Sequence, residues 1–158
     1  MARADSALPE SPTPATPAMR VVVMGVSGCG KSSIGERLAQ ALGAGFLEGD
    51  SLHPPRNVAL MAAGTPLTDA DRHDWLAAIA QRLAEAEQAG AGLVVSCSAL
   101  KRRYRDQLRA AAPSLRLVFL HGEAALLRQR MGARRGHYMP PTLLDSQLAT
   151  LEPPADDE

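Results

Sequence analysis

Gly25-Val26-Ser27-Gly28-Cys29-Gly30-Lys31-Ser32 fits the spacing Gly, four residues, Gly, Lys, Ser/Thr, and its flanks supply the context that this spacing needs. Before it, Met19-Arg20-Val21-Val22-Val23-Met24 is a short β-branched apolar run that predicts a buried parallel strand. After it, Ile34, Leu38, Ala41 and Leu42 recur at helical spacing, and Gly43 stands where that helix should end. Strand, glycine-rich turn and helix together make an anion cradle. Successive amides of the turn converge, and the helix starting at Lys31 adds roughly half a positive charge at its N-terminus. Gly25, Gly28 and Gly30 keep Cβ atoms away from those amides, so Gly25, Ser27, Gly28, Cys29, Gly30 and Lys31 are the expected phosphate contacts. Lys31 reaches the β- and γ-phosphates of a triphosphate in this reading, and the Ser32 hydroxyl takes one position on Mg2+.

The 158 residues, 46% of them apolar, suit one domain around a single core. Lys+Arg and Asp+Glu both number 17, so no overall field draws the chain to a polyanion and any basic function is local. Aromatics at 3% also leave little to stack on nucleic-acid bases. Cys29 and Cys97 make no disulfide framework, which predicts a reducing compartment and hence the cytoplasm. No apolar run approaches the roughly 18 residues of a membrane span, and a basic region followed by an apolar stretch is missing from the N-terminus. Residues 1–18 carry Pro9, Pro12, Pro14 and Pro17 among Ala, Ser and Thr, and are expected to form a disordered tail ahead of a domain over 19–158.

Further along, Gly45-Phe46-Leu47-Glu48-Gly49-Asp50 reads as a second strand whose carboxyl end delivers Asp50. Ligands of open α/β sheets sit beyond such ends. A turn through His53, Pro54 and Pro55 leads into a short helix that Gly64 closes, and Thr68 with Asp71 predicts a capping pair before a long helix striped by Trp75, Leu76, Ile79 and Leu83. Leu93–Cys97 and Leu115–Leu120 predict the third and fourth strands. Strands alternating with helices mean a parallel sheet covered on both faces.

Three groups of side chains suit transfer of a phosphoryl group to a small hydroxylated acceptor. Arg128, Arg130, Arg134 and Arg135, with Gly132 and Gly136 among them, predict a cationic lid over about 123–141, with Arg134 on the phosphoryl group in flight; a solvated helix face is their other reading. Asp50 is the candidate to orient the acceptor hydroxyl and take its proton; capping the turn at Ser51, or holding Mg2+ through water, are its other readings. Lys101 to Arg105, just past the third strand, suits a small anion. His53 and His137 are placed either to touch a substrate or to serve structure. The third strand ends in Ser96 and Cys97, so the aspartate often found there beside Mg2+ is missing, and Asp50 could substitute in the metal's outer sphere.

Taken together, the loop at 25–32, Leu47-Glu48-Gly49-Asp50-Ser51-Leu52-His53-Pro54, Asn57-Val58-Ala59-Leu60-Met61, Pro66-Leu67-Thr68-Asp69-Ala70-Asp71-Arg72, Cys97-Ser98-Ala99-Leu100-Lys101, Tyr104-Arg105-Asp106 and Arg134-Arg135-Gly136-His137-Tyr138 resemble the bacterial-type gluconokinases, in order, over about residues 20–157. That family is similar in fold to shikimate and nucleoside-monophosphate kinases. The resemblance implies an α/β P-loop kinase with strand order 2-3-1-4, helices on both faces and a lid. It also implies ATP- and Mg2+-dependent phosphorylation of D-gluconate at its 6-hydroxyl by a cytoplasmic homodimer. Family members continue into a fifth, edge strand beyond the position of Glu158, where this sequence stops. Carried over by position, Gly28, Gly30, Lys31, Ser32 and Ser33 fall on the phosphate and Mg2+ loop. Asp50, His53, Arg56, Lys101 and Arg105 fall around the sugar acid, with His137 in the lid motif. Arg130 and Arg134 fall on lid arginines, the former able to stack on adenine, and Gln147 on a polar position that reaches the substrate. A shikimate-type kinase is the nearest rival, although Cys97-Ser98-Ala99-Leu100-Lys101 replaces a glycine-rich substrate turn. A nucleotide-operated switch is the rival from another class, and it leaves Asp50 and the 101–105 cations without a role.

Overall fold

The computed structural model of the chain describes residues 17–26, 29–122, 126 and 142–158. In chain order these form β1 (Arg20–Met24), α1 (Lys31–Leu42), β2 (Gly45–Glu48), a 3-10 turn (Gly49–Leu52), α2 (Pro55–Ala62), α3 (Asp69–Gln88), β3 (Leu93–Ser96), α4 (Arg102–Ala111), β4 (Arg116–Phe119) and α5 (Thr142–Thr150). The expected lid at 123–141 and residues 1–16 of the expected tail lie almost wholly outside the described residues.

β1 is the centre of the sheet because it is the strand that can be buried on both sides. Val21 to Met24 are at most 2% exposed. Their alternation splits the core in two. Val21 and Val23 face α1, packing with Ala39, Leu38, Leu42 and Val94. Val22 and Met24 face the opposite layer, where Trp75, Leu76, Ile79 and Leu83 of α3 meet Tyr104 and Leu108 of α4. The apolar stripe expected on the long helix is therefore core, each large side chain contributing about 1.5–3 kcal/mol by leaving water. A third cluster, with Met61, Leu67, Leu100, Leu143 and Leu144, joins α2 and α5 above the carboxyl ends of the strands.

All described strand pairs are parallel and the order is β2-β3-β1-β4, as the resemblance implied. Among the described residues β4 pairs with β1 alone and forms the edge. The capping box expected before α3 is present in both directions: Thr68 Oγ1 accepts the Asp71 amide at 3.1 Å, and Asp71 Oδ2 accepts the Thr68 amide at 2.9 Å. Gly43 ends α1 at φ 64°.

The second strand is shorter than expected. It stops at Glu48, and Asp50 emerges instead from the 3-10 turn. A Cβ on Gly49 would lie 2.1 Å from the Ser96 carbonyl oxygen, so only glycine lets the chain come this close to β3. The Trp75 indole N–H then donates to the Gly49 carbonyl at 2.8 Å and turns the backbone out of the ladder. β3 and β4 likewise end a residue or so inside the expected limits. Among the described residues no helix is long and apolar enough to cross a membrane.

Candidate active site

The carboxyl ends of β1, β2 and β3 converge on the N-terminus of α1, where the chemistry-bearing side chains collect. Gly30 precedes α1 at φ 91° and has no side chain with which to cap it, and the first turn of α1 holds no acidic residue. The first amides of a helix suit an outside anion, as a phosphate site requires. Lys31 Nζ donates to the Val26 carbonyl of the same loop at 3.1 Å, folding the ammonium back over the cradle. Ser27 and Gly28, expected phosphate contacts, lie outside the described residues; Cys29 is partly exposed, its amide donating to Val26 O at 3.4 Å. Ser33 sits in the first turn of α1.

Ser32 Oγ donates to Glu48 Oε2, and Ser96 Oγ donates to the other oxygen, Oε1, at 2.6 Å. The carboxylate hydrogen-bonded to the loop serine is therefore Glu48, two residues before the Asp50 that the sequence suggested for the metal's outer sphere. Glu48 and Ser96 are register partners at the ends of β2 and β3, so sheet pairing brings them together.

A cleft opens beside this cradle, and Lys31, Asp50, His53, Arg72, Ser98 and Gln147 supply its polar lining over a floor that includes Trp75, Leu100 and Leu143. His53 stacks on Trp75 with ring centroids 4.1 Å apart. Its Nδ1 lies 3.3 Å from Asn57 Nδ2, which can only donate, so Nδ1 accepts and the proton sits on Nε2. Nε2 faces Asp50 Oδ1 at 3.8 Å, beyond direct hydrogen-bond range. Burial first, then the positive charge of Arg72, pushes the His53 pKa down to about 4. The imidazole is neutral at neutral pH.

That shift has a consequence for stability. The unfolded chain takes up a proton at His53 near its ordinary value of 6.5, while the folded chain does so only near 4. The histidine's contribution is therefore complete above pH 6.5 and lost as pH falls toward about 4. Urea unfolding between pH 7 and 4.5 is expected to show a steeper loss in the parent than in His53→Gln. Parallel curves would refute the assignment.

Arg72 is the cation the sequence reading missed. It is buried at 9% exposure, its Nη1 donates to the Tyr104 hydroxyl at 2.9 Å, and its guanidinium lies 5.5 Å from that ring's centroid. The expected substrate cations lie elsewhere. Arg56 is 79% exposed and 3.5 Å from Asp71; Lys101 donates to Asp69 at 3.1 Å; Arg105, on α4, is fully buried. Of the expected substrate residues, Asp50, His53 and Gln147 do line the cleft together with Lys31. Arg130, Arg134 and His137 lie outside the described residues. An arrangement with an anion cradle on one wall and a carboxylate, a neutral imidazole and a buried guanidinium on the other can hold two anionic molecules with a hydroxyl between them.

Known proteins share this sequence and fold. The AAA-domain family model matches residues 21–154. A gluconokinase of Gluconobacter oxydans is 53% identical over 138 residues, covering 87% of this chain and 78% of that protein. A gluconokinase crystal structure from Sinorhizobium meliloti is 56% identical with a TM-score of 0.79, covering 89% of this chain and 78% of that one. An unliganded sugar kinase from Janibacter is 48% identical with a TM-score of 0.85, covering 90% and 82%.

Proposed function

The chain belongs to the gluconokinase family of P-loop kinases, and from that premise we infer that it transfers a phosphoryl group from ATP to gluconate. The observation that carries the reading at the level of the site is the cleft that Lys31 and Asp50 both line. Phosphoryl transfer asks the protein mainly to hold two anions in line and to neutralise charge that develops between them. The first amides of α1 and the Lys31 ammonium hold the β- and γ-phosphates. Asp50 receives the 6-hydroxyl of gluconate as a hydrogen-bond donor, fixes its direction and takes its proton as the new P–O bond forms. Arg72 faces the same space with a planar fork suited to the sugar acid's carboxylate, while His53 and Gln147 offer neutral donors to its hydroxyls. Arg56 and Lys101 reach a substrate only by exchanging their present partners Asp71 and Asp69.

Mg2+ fits this donor set. Ser32 and Glu48 are hard oxygen donors in mutual contact at the cradle, and among the described residues no cluster of three or more His, Cys, Asp or Glu offers a separate metal site. Ser32 and Glu48 would hold the ion, which when bound neutralises charge between the β- and γ-phosphates. Glu48→Gln is expected to raise the Mg2+ concentration for half-maximal rate by about tenfold or more. Calorimetry should find metal-free binding of an ATP analogue little changed. An unaltered Mg2+ requirement would remove Glu48 from the metal site.

A homodimer in the cytoplasm completes the proposal, with light scattering the test of the first part. The activity itself is tested by ATP consumption with gluconate, other aldonic acids and shikimate, and by phosphorus NMR of the product. Phosphate on the 6-oxygen of gluconate is the expected result; turnover of shikimate alone would overturn the reading.

A further inference from the structure

Behind the cleft lies an ion cluster that the reaction as written does not use. Arg105 on α4 and the Glu158 side chain are 0% and 1% exposed. Arg105 Nε and Nη2 donate to the two Glu158 oxygens at 2.7 and 3.1 Å, and Arg109 Nη1 donates to Oε1 at 2.8 Å. The remaining Arg105 nitrogen, Nη1, donates to the Ala99 carbonyl at 2.8 Å. Its guanidinium is therefore turned away from solvent and spent on protein partners, which leaves it no path to a sugar acid.

Ala99 is the element worth holding. Its φ of 44° is the one non-glycine value in the left-handed region among the described residues, a conformation that a Cβ disfavours and that persists only when its surroundings impose it. Its neighbours reach the chemistry. Ser98 and Leu100 line the cleft, and the Ser98 carbonyl accepts the Gly25 amide of the phosphate loop at 3.4 Å. The segment that carries Glu158 is tied to the same turn, since the Glu152 amide donates to Leu100 O at 2.7 Å and its carboxylate accepts the Arg102 amide at 3.0 Å.

We propose that Arg105 is a positioning residue for phosphoryl transfer: clamped by Glu158, it grips the Ala99 carbonyl and so fixes the left-handed turn that sets Ser98 against the phosphate loop and Leu100 against the cleft. This rests on the gluconokinase reading for the reaction it serves. The role differs from the substrate contact that the sequence implied, and the two separate by experiment.

Arg105→Lys keeps the charge but lacks the fork that serves Glu158 and Ala99 at once. The expected result is a fall of about tenfold to a hundredfold in kcat/KM for ATP and gluconate alike, because the turn borders both sites. Adding Ala99→Gly should restore most of that loss, since glycine takes the positive φ unaided. A rise in the gluconate KM alone, with no recovery on adding Ala99→Gly, would overturn the proposal in favour of direct contact. Should Arg105→Lys fail to fold, Glu158→Gln with and without Ala99→Gly decides by the same recovery. Calorimetric binding of an ATP analogue is read through the same set of variants. If the parent chain binds the analogue but turns over no gluconate, the functional reading fails while the binding cycle still decides the role of Arg105.

Discussion

Lys31→Ala is expected to lower kcat by about two to three orders of magnitude, the loss seen when one pre-placed donor to developing charge is removed. In the present structure the Lys31 ammonium donates to Val26 O at 3.1 Å, so it already lies across the loop whose amides form the cradle. A phosphate oxygen entering the cradle offers that ammonium an anionic acceptor in place of a neutral carbonyl, a charge-assisted bond roughly twice as strong. The bond strengthens further as charge moves onto the bridging oxygen, and this is why kcat suffers more than nucleotide affinity does. No packing role competes with this explanation, since Lys31 is not among the buried core residues. The thermal midpoint should therefore stay near the parental one while steady-state turnover collapses. Turnover close to the parental rate would remove the loop from the reaction.

The fold was legible where local signals carry it. A β-branched run, a glycine-rich turn with Lys and Ser, and Gly43 at φ 64° specify strand, cradle and helix within some two dozen residues, and tertiary contacts do not overrule them. The capping pair at Thr68 and Asp71 is equally local. What the sequence left hidden depends on which strands and helices become neighbours. Glu48 meets Ser32 and Ser96 only because β2 lies beside β3 and both end at the same level. Had order 2-3-1-4 been combined with strand ends, an acidic residue closing β2 could have been found.

Arg72 sits in a helix turn with charged neighbours and reads as solvated; it is buried because Tyr104, 32 residues away, turns its hydroxyl and ring toward it. Arg105 misleads in the opposite direction. In a run of cations it resembles an anion site, yet Arg102, Arg105 and Arg109 fall on one face of α4 at helical spacing. Their acidic partners Asp157 and Glu158 arrive from about fifty residues downstream. The sequence shows cations; only the fold shows which are already neutralised.

Asp50→Asn separates the two duties given to that carboxylate. The amide is nearly isosteric and can still accept a hydrogen bond, so the position of the acceptor hydroxyl is roughly kept while the basic oxygen and the negative charge are lost. If proton removal accompanies P–O bond formation, kcat should fall by about two to four orders of magnitude, with the affinity for an ATP analogue retained. The surroundings favour this division. The turn that carries Asp50 is braced by the Trp75 indole on Gly49 O, and His53, neutral with its proton on Nε2, faces Oδ1 at 3.8 Å without neutralising it. The imidazole that faces the carboxylate therefore carries no charge of its own at neutral pH. A variant with parental kcat and a raised gluconate KM would reduce Asp50 to a binding group. One unchanged in both parameters would move the proton acceptor elsewhere, because a carboxylate that faces the substrate cannot lose its charge during the reaction without the rate recording it.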